Sequence, residues 1–99
     1  MDRMEHLFTT AAEEANEVAQ RVSKALRFGT TEVQPGQELT NAERIVEEFH
    51  DLYAMLDWLQ MEGHIPNHIS IKPDHVRMRL KREKVERFMA ISREQGVLS

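Results

Sequence analysis

The stretch "TNAERIVEEFHDLYAMLDWLQMEG", residues 40 to 63, decides the fold. Ala42, Ile45, Phe49, Leu52, Leu56 and Leu59 recur at alternating steps of three and four residues, the rhythm of a single helix face. Thr40 stands where its hydroxyl can cap the first turn, and Glu43, three residues on, can reach back to close a capping box. Gly63 marks the stop. A helix with one narrow apolar stripe must bury that stripe against another element, so the fold depends on what lies either side of it.

Upstream, Met4, Phe8, Ala11, Ala15, Val18, Val22 and Ala25 repeat the same spacing and predict a first helix ending at Gly29. The intervening "TTEVQPGQEL", residues 30 to 39, reads as a loop with a turn at Pro35-Gly36, either a plain surface connection or a lid. Downstream, "HIPNHISIK", residues 64 to 72, leads to a third helix with Pro73 in its first turn and Gly96 at its end. At most a short extended piece is expected at Ile69 to Ile71. The expected fold is all-α: one domain over residues 1–99, built as a three-helix protomer. Its narrow seams leave apolar surface that a single copy cannot cover, so dimerisation is expected to complete a core of the four-helix-bundle type.

The chain has 99 residues, no cysteine and a net charge of −4. There is room for one modest core and none for separate binding and catalytic lobes. No apolar run has the length of a membrane span, and "MDRMEHLF" at the start is too polar for a signal peptide, so a soluble, cytoplasmic protein is expected. Charge is unevenly distributed. Residues 1 to 71 carry thirteen acidic and five basic side chains, whereas residues 72 to 99 carry four and eight. The acidic body argues against a nucleic-acid groove, which needs clustered Lys and Arg free of competing carboxylates.

The acidic residues hold helical phase with the apolar stripes. In "EEANE", residues 13 to 17, Glu14 falls three after Ala11 and four before Val18, with Glu17 next along that flank. Glu48 likewise falls three after Ile45 and four before Leu52, with Asp51 next. Antiparallel packing through the stripes would set Glu14/Glu17 against Glu48/Asp51. Four carboxylates crowded at the edge of a core need a counter-charge, and oxygen-only ligands select Mg²⁺ or Mn²⁺ over Zn²⁺. The plainer alternative is a solvated acidic helix face, in a non-enzymatic helical interaction protein that docks a basic partner.

"EEANE" at 13–17 followed by "EFHD" at 48–51 resembles the EExxE…ExxD signature of the all-α nucleoside triphosphate pyrophosphohydrolase superfamily, which includes MazG-like proteins, dimeric dUTPases and phosphoribosyl-ATP pyrophosphohydrolases. "SKALRFG" at 23–29 and "EKVERFMAISREQGVL" at 83–98 are similar to stretches of its short bacterial and phage MazG-like members. The resemblance implies hydrolysis of a nucleoside triphosphate between its α and β phosphorus atoms, giving a monophosphate and pyrophosphate, by a homodimer or higher homo-oligomer. It implies Mg²⁺ on Glu14, Glu17, Glu48 and Asp51, with Glu13 outside the ligand set or orienting water. Many relatives have small residues inside the second motif, where this chain has Phe49 and His50.

Such chemistry also needs cations to offset charge on the phosphate oxygens. Lys24 lies two turns beyond Glu17 on the same flank and is the nearest candidate. Lys84, between Leu80 and Phe88 on an otherwise apolar line, either snorkels to water or reaches a site. Trp58, seven residues after Asp51, reads as core, interface or a stacking platform for a base. His64 and His68 form the sole HxxxH pair, and the intervening Pro66 breaks the helix a zinc pair would need.

Overall fold

The computed structural model describes all 99 residues, Met1–Ser99, in three helices: α1 (Arg3–Phe28), α2 (Asn41–Met61) and α3 (His75–Glu94). The local chemistry at each end explains the boundaries. The Asp2 carboxylate accepts from the Glu5 amide to start α1, and Gly29, at φ 95°, ends it by donating its N–H to the Ala25 carbonyl. Few residues other than glycine adopt that φ. The expected box at Thr40 is present: Thr40 Oγ1 accepts from the Glu43 amide at 3.1 Å, and the Glu43 carboxylate accepts from the Thr40 amide at 3.1 Å. Asp74, not Pro73, caps α3, so the proline lies just outside the first turn. Residues 69–71 form no strand.

α1 and α2 pack as an antiparallel hairpin, the start of α1 against the end of α2. Leu7, Ala11, Met55 and Leu59 form the buried cluster, with Leu56 and Ile65 packed on it; Leu59 is 1% exposed. The contact line on α1 runs through Leu7, Ala11, Glu14, Val18, Arg21 and Ala25, all buried or half-buried. This rotates the expected seam. Met4, Phe8 and Val22 lie outside it, Phe8 at 46% and Val22 at 50% exposure, and Ala15 is exposed too. On α2 the line is Asn41, Ile45, Glu48, Leu52, Met55 and Leu59, leaving Ala42 and Phe49 exposed. The apolar stripes are wider than one helix–helix contact, and the hairpin uses only one edge of each.

Asn41 is the one buried polar residue, 2% exposed. Its Nδ2 donates to the Gly29 carbonyl at 2.8 Å and to Glu32 at 3.3 Å. The Asn41 amide donates to the Glu32 carbonyl and the Ala42 amide to the Thr30 carbonyl, so the loop's first residues are tied to the start of α2. At the opposite end, Gln60 Nε2 donates to the carbonyls of Pro66 and Ile69 and orders the connection to α3.

α3 packs on neither α1 nor α2 and contributes no buried residue. The radius of gyration is therefore 17.1 Å, against about 13 Å for a compact chain of this size. No helix is long and apolar enough to cross a membrane.

Candidate metal centre

The hairpin's contact line changes character halfway. Below it are Leu7, Ala11, Met55 and Leu59; in the middle the same heptad phase delivers Glu14 and Arg21 from α1 and Glu48 from α2. Glu14 and Glu48 are half-buried in the contact between helices, not on its outer flank as the sequence pattern suggested. Asp51, one turn after Glu48, is exposed at the rim. Glu14, Glu48 and Asp51 each place one carboxylate oxygen so that the three atoms lie within 4.8 Å of one another.

Glu17 is not part of that group. It is half-buried one turn along α1, and its Oε2 lies 3.9 Å from Arg21 Nη2. Arg21 also places Nε 3.9 Å from Glu48 Oε1. Both contacts are ion pairs too long for hydrogen bonds, and Arg21 Nε and Nη1 are buried without a hydrogen-bond partner. Unsatisfied buried donors are costly, so this guanidinium is poised beside an acidic cluster with donors to spare. Arg21 did not emerge from the apolar pattern, yet two signals point to it: it follows Glu17 by one helical turn and Glu14 by two.

The electrostatics single out Glu14. Partial burial, then the charges of Asp51, Glu48, Glu17 and Glu13, push its carboxyl above the usual carboxylate range. Glu13 is exposed, beside the cluster in sequence but outside it in space. Lys24 is half-buried on the α1 flank and forms no ion pair. Lys84 is exposed on α3, its Nζ 5.9 Å from the Phe88 ring centroid, and within one chain it does not reach the cluster.

Trp58 is held elsewhere. Its Nε1 donates to Glu62 Oε2 at 2.6 Å, and the Arg3 guanidinium lies 5.6 Å from its ring centroid. Arg3 grips the same carboxylate through Nε and Nη2, at 2.9 and 2.6 Å, which holds the Glu62 carboxyl below its usual range. This arrangement ties the start of α1 to the end of α2, away from the carboxylate cluster. Comparison of the chain with models of known protein families, with curated proteins and with solved structures finds no match in any of the three.

Proposed function

We propose that the protein is a Mg²⁺-dependent nucleoside triphosphate pyrophosphohydrolase, with Mn²⁺ able to replace Mg²⁺, and that it acts as a homodimer or higher homo-oligomer whose exposed apolar flanks complete a four-helix core. One observation carries the reading: carboxylate oxygens of Glu14, Glu48 and Asp51, from two helices, lie within 4.8 Å of one another. The donor set fits a hard divalent cation, because it offers only oxygens and because the crowding that raises the Glu14 carboxyl would be relieved by positive charge. Bound there, such a cation supplies phosphate-charge neutralisation and an acidified water.

The chain's own groups then have defined tasks. Glu14, Glu48 and Asp51 would hold the cation, and Glu17, one turn along α1 beside Arg21, would be the next carboxylate available to it. The unsatisfied Nε–H and Nη1–H of Arg21, with Lys24 beyond, offer the positive donors that a triphosphate needs. Glu13 orients water at the open edge. In the net reaction the water oxygen bonds to the α-phosphorus, the bond from that phosphorus to the α–β bridging oxygen breaks, pyrophosphate leaves with that oxygen, and the proton lost by the water passes to solvent. Incubation with the common ribo- and deoxyribonucleoside triphosphates plus Mg²⁺ is expected to yield monophosphate and pyrophosphate. Diphosphate and orthophosphate would overturn the cleavage position, and unchanged substrate the activity.

A second reading, a non-enzymatic helical interaction protein with an acidic docking face, is favoured by the unpartnered state of α3 and by the Arg21 ion pairs to Glu17 and Glu48. Under it, millimolar Mg²⁺ or Mn²⁺ leaves the melting temperature unchanged. A cation that binds only the native state must raise it.

A further inference from the structure

Arg21 is the cation of the hairpin's polar middle. Its side chain, between α1 and α2, is 15% exposed, and that of Glu48, which it faces across the contact, is 18% exposed. Of the four carboxylates in this layer, Glu14, Glu17, Glu48 and Asp51, it is ion-paired with Glu17 on its own helix and with Glu48 on the other, and no other cation is ion-paired with any of them. The pairing is loose. At the closed end Arg3 comes to 2.9 and 2.6 Å from Glu62, whereas Arg21 stands 3.9 Å from each of its two carboxylates, about 1 Å beyond an ordinary N–H···O distance. Its Nε and Nη1 are buried with no partner at all. A guanidinium placed for stability alone would close on one carboxylate and satisfy those donors. This one is held between two by charge.

Glu48 belongs to two groupings at once. Its Oε1 faces Arg21, and one of its carboxylate oxygens converges with those of Glu14 and Asp51 within 4.8 Å. A divalent cation held by those three would share Glu48 with the guanidinium. Two positive charges on one half-buried carboxylate repel with little water to screen them. Each therefore weakens the hold of the other, and by the same factor in both directions.

We propose that Arg21 is the resident counter-charge of this layer and competes with the divalent cation for Glu48, so that it sets the affinity of the centre and gives up Glu48 when the cation binds. The inference rests on the metal centre proposed above and concerns the protein before any substrate arrives. Arg21 acts here through Glu48, as a positioning residue.

Titration of Mn²⁺ into the metal-free protein reads the affinity, and thermal melts with and without Mn²⁺ read the stability. Arg21→Gln should bind Mn²⁺ about tenfold more tightly than the parent, within the ordinary range of coupling between two sites. Without metal it should melt lower than the parent, and Mn²⁺ should raise its melting temperature by more. Arg21→Lys, which keeps the charge, should bind as the parent does, and so should Arg27→Gln, which removes an equal charge from the exposed last turn of α1. Binding by Arg21→Gln no tighter than the parent's, a metal-free Arg21→Gln that melts above the parent, or equal tightening in Arg21→Lys overturns the proposal and leaves the metal centre in place. Binding by Arg21→Gln alone upholds the competition and removes the metal-dependent reaction of the parent. Binding by neither removes the metal centre and the competition with it. If Arg21→Gln does not fold, the parent carries the test: by nuclear magnetic resonance, its Arg21 Nε–H should exchange with water faster at saturating Mg²⁺ than without metal, and unchanged exchange overturns the proposal.

Discussion

The two halves of the α1–α2 contact are built on one heptad rhythm and do opposite things. Where the start of α1 meets the end of α2, the rhythm delivers Leu7, Ala11, Met55 and Leu59, and the arrangement is closed: the four side chains are buried together, and Glu62 is satisfied by Arg3 and Trp58. One turn further on, the same phase delivers Glu14, Glu48 and Arg21, and the arrangement is open, with crowded carboxylates and unsatisfied donors. The first half stabilises and the second half costs. A small protein that buries only six residues keeps such a layer in its main contact at the expense of its fold, which is the pattern expected where a ligand completes the site.

The largest effect is expected from breaking the open half. Glu48→Gln and Asp51→Asn keep size and polarity but remove a charged ligand, and each should cut turnover by about a thousandfold, roughly 4 kcal/mol of barrier. Asp57→Asn, an exposed carboxylate on α2 outside the cluster, should turn over like the parent. Equal losses in all three variants, measured by pyrophosphate release, would contradict the convergence on which the reading rests. Breaking the closed half should do the reverse. Leu59→Ala is expected to lower unfolding free energy by about 3 kcal/mol in denaturant titration, with activity per folded molecule retained.

Asn41→Ala comes next. It removes the donor that ties the end of α1 to the start of α2 and leaves the Gly29 carbonyl without that partner, at a cost of about 1–2 kcal/mol. The smallest effects concern pH, where the two halves should diverge in sign. Glu62 is held below the usual carboxylate range by its Arg3 hydrogen bonds, so its contribution is present at neutral pH and lost as pH falls through its folded value. Glu14 is raised by burial and by Asp51, Glu48 and Glu17, so the strain of its charged form grows as pH rises through its folded value. Metal-free Glu14→Gln should thus melt a little higher than the parent at neutral pH, with the gain vanishing on acidification. Glu62→Gln should melt lower at neutral pH, and its deficit should shrink in acid. The same sign for both in thermal melts would remove the distinction between the halves.

Element boundaries were legible in the sequence because they rest on local chemistry: the Thr40–Glu43 box and the Gly29 stop need only neighbours a few residues away. The seams were less so. A 4-3 spacing fixes that a helix has an apolar side but not which edge of that side meets its partner; Phe8, Val22 and Phe49 satisfied the pattern and remained exposed, while Leu7 and Met55 were buried beside it. Three of the four carboxylates converge because their separation depends on spacing within each motif and on antiparallel pairing. Glu17 lies outside the group, one turn along α1 and 3.9 Å from Arg21. The detachment of α3 had no sequence signal, since its apolar and basic residues would suit packing in cis or in trans equally.

The polar middle of the hairpin should hold a divalent cation. Titration of Mn²⁺ into the metal-free protein, with free ion followed by its electron paramagnetic resonance signal, tests this most directly, because it needs neither substrate nor turnover. The parent should remove free Mn²⁺ from solution in a saturable manner, Glu14→Gln, Glu48→Gln and Asp51→Asn should each weaken that binding severely, and Asp57→Asn should bind as the parent does. A parent that leaves the free-ion signal undiminished, or site variants that bind Mn²⁺ as well as the parent, would contradict it and leave the layer a buried ion network alone.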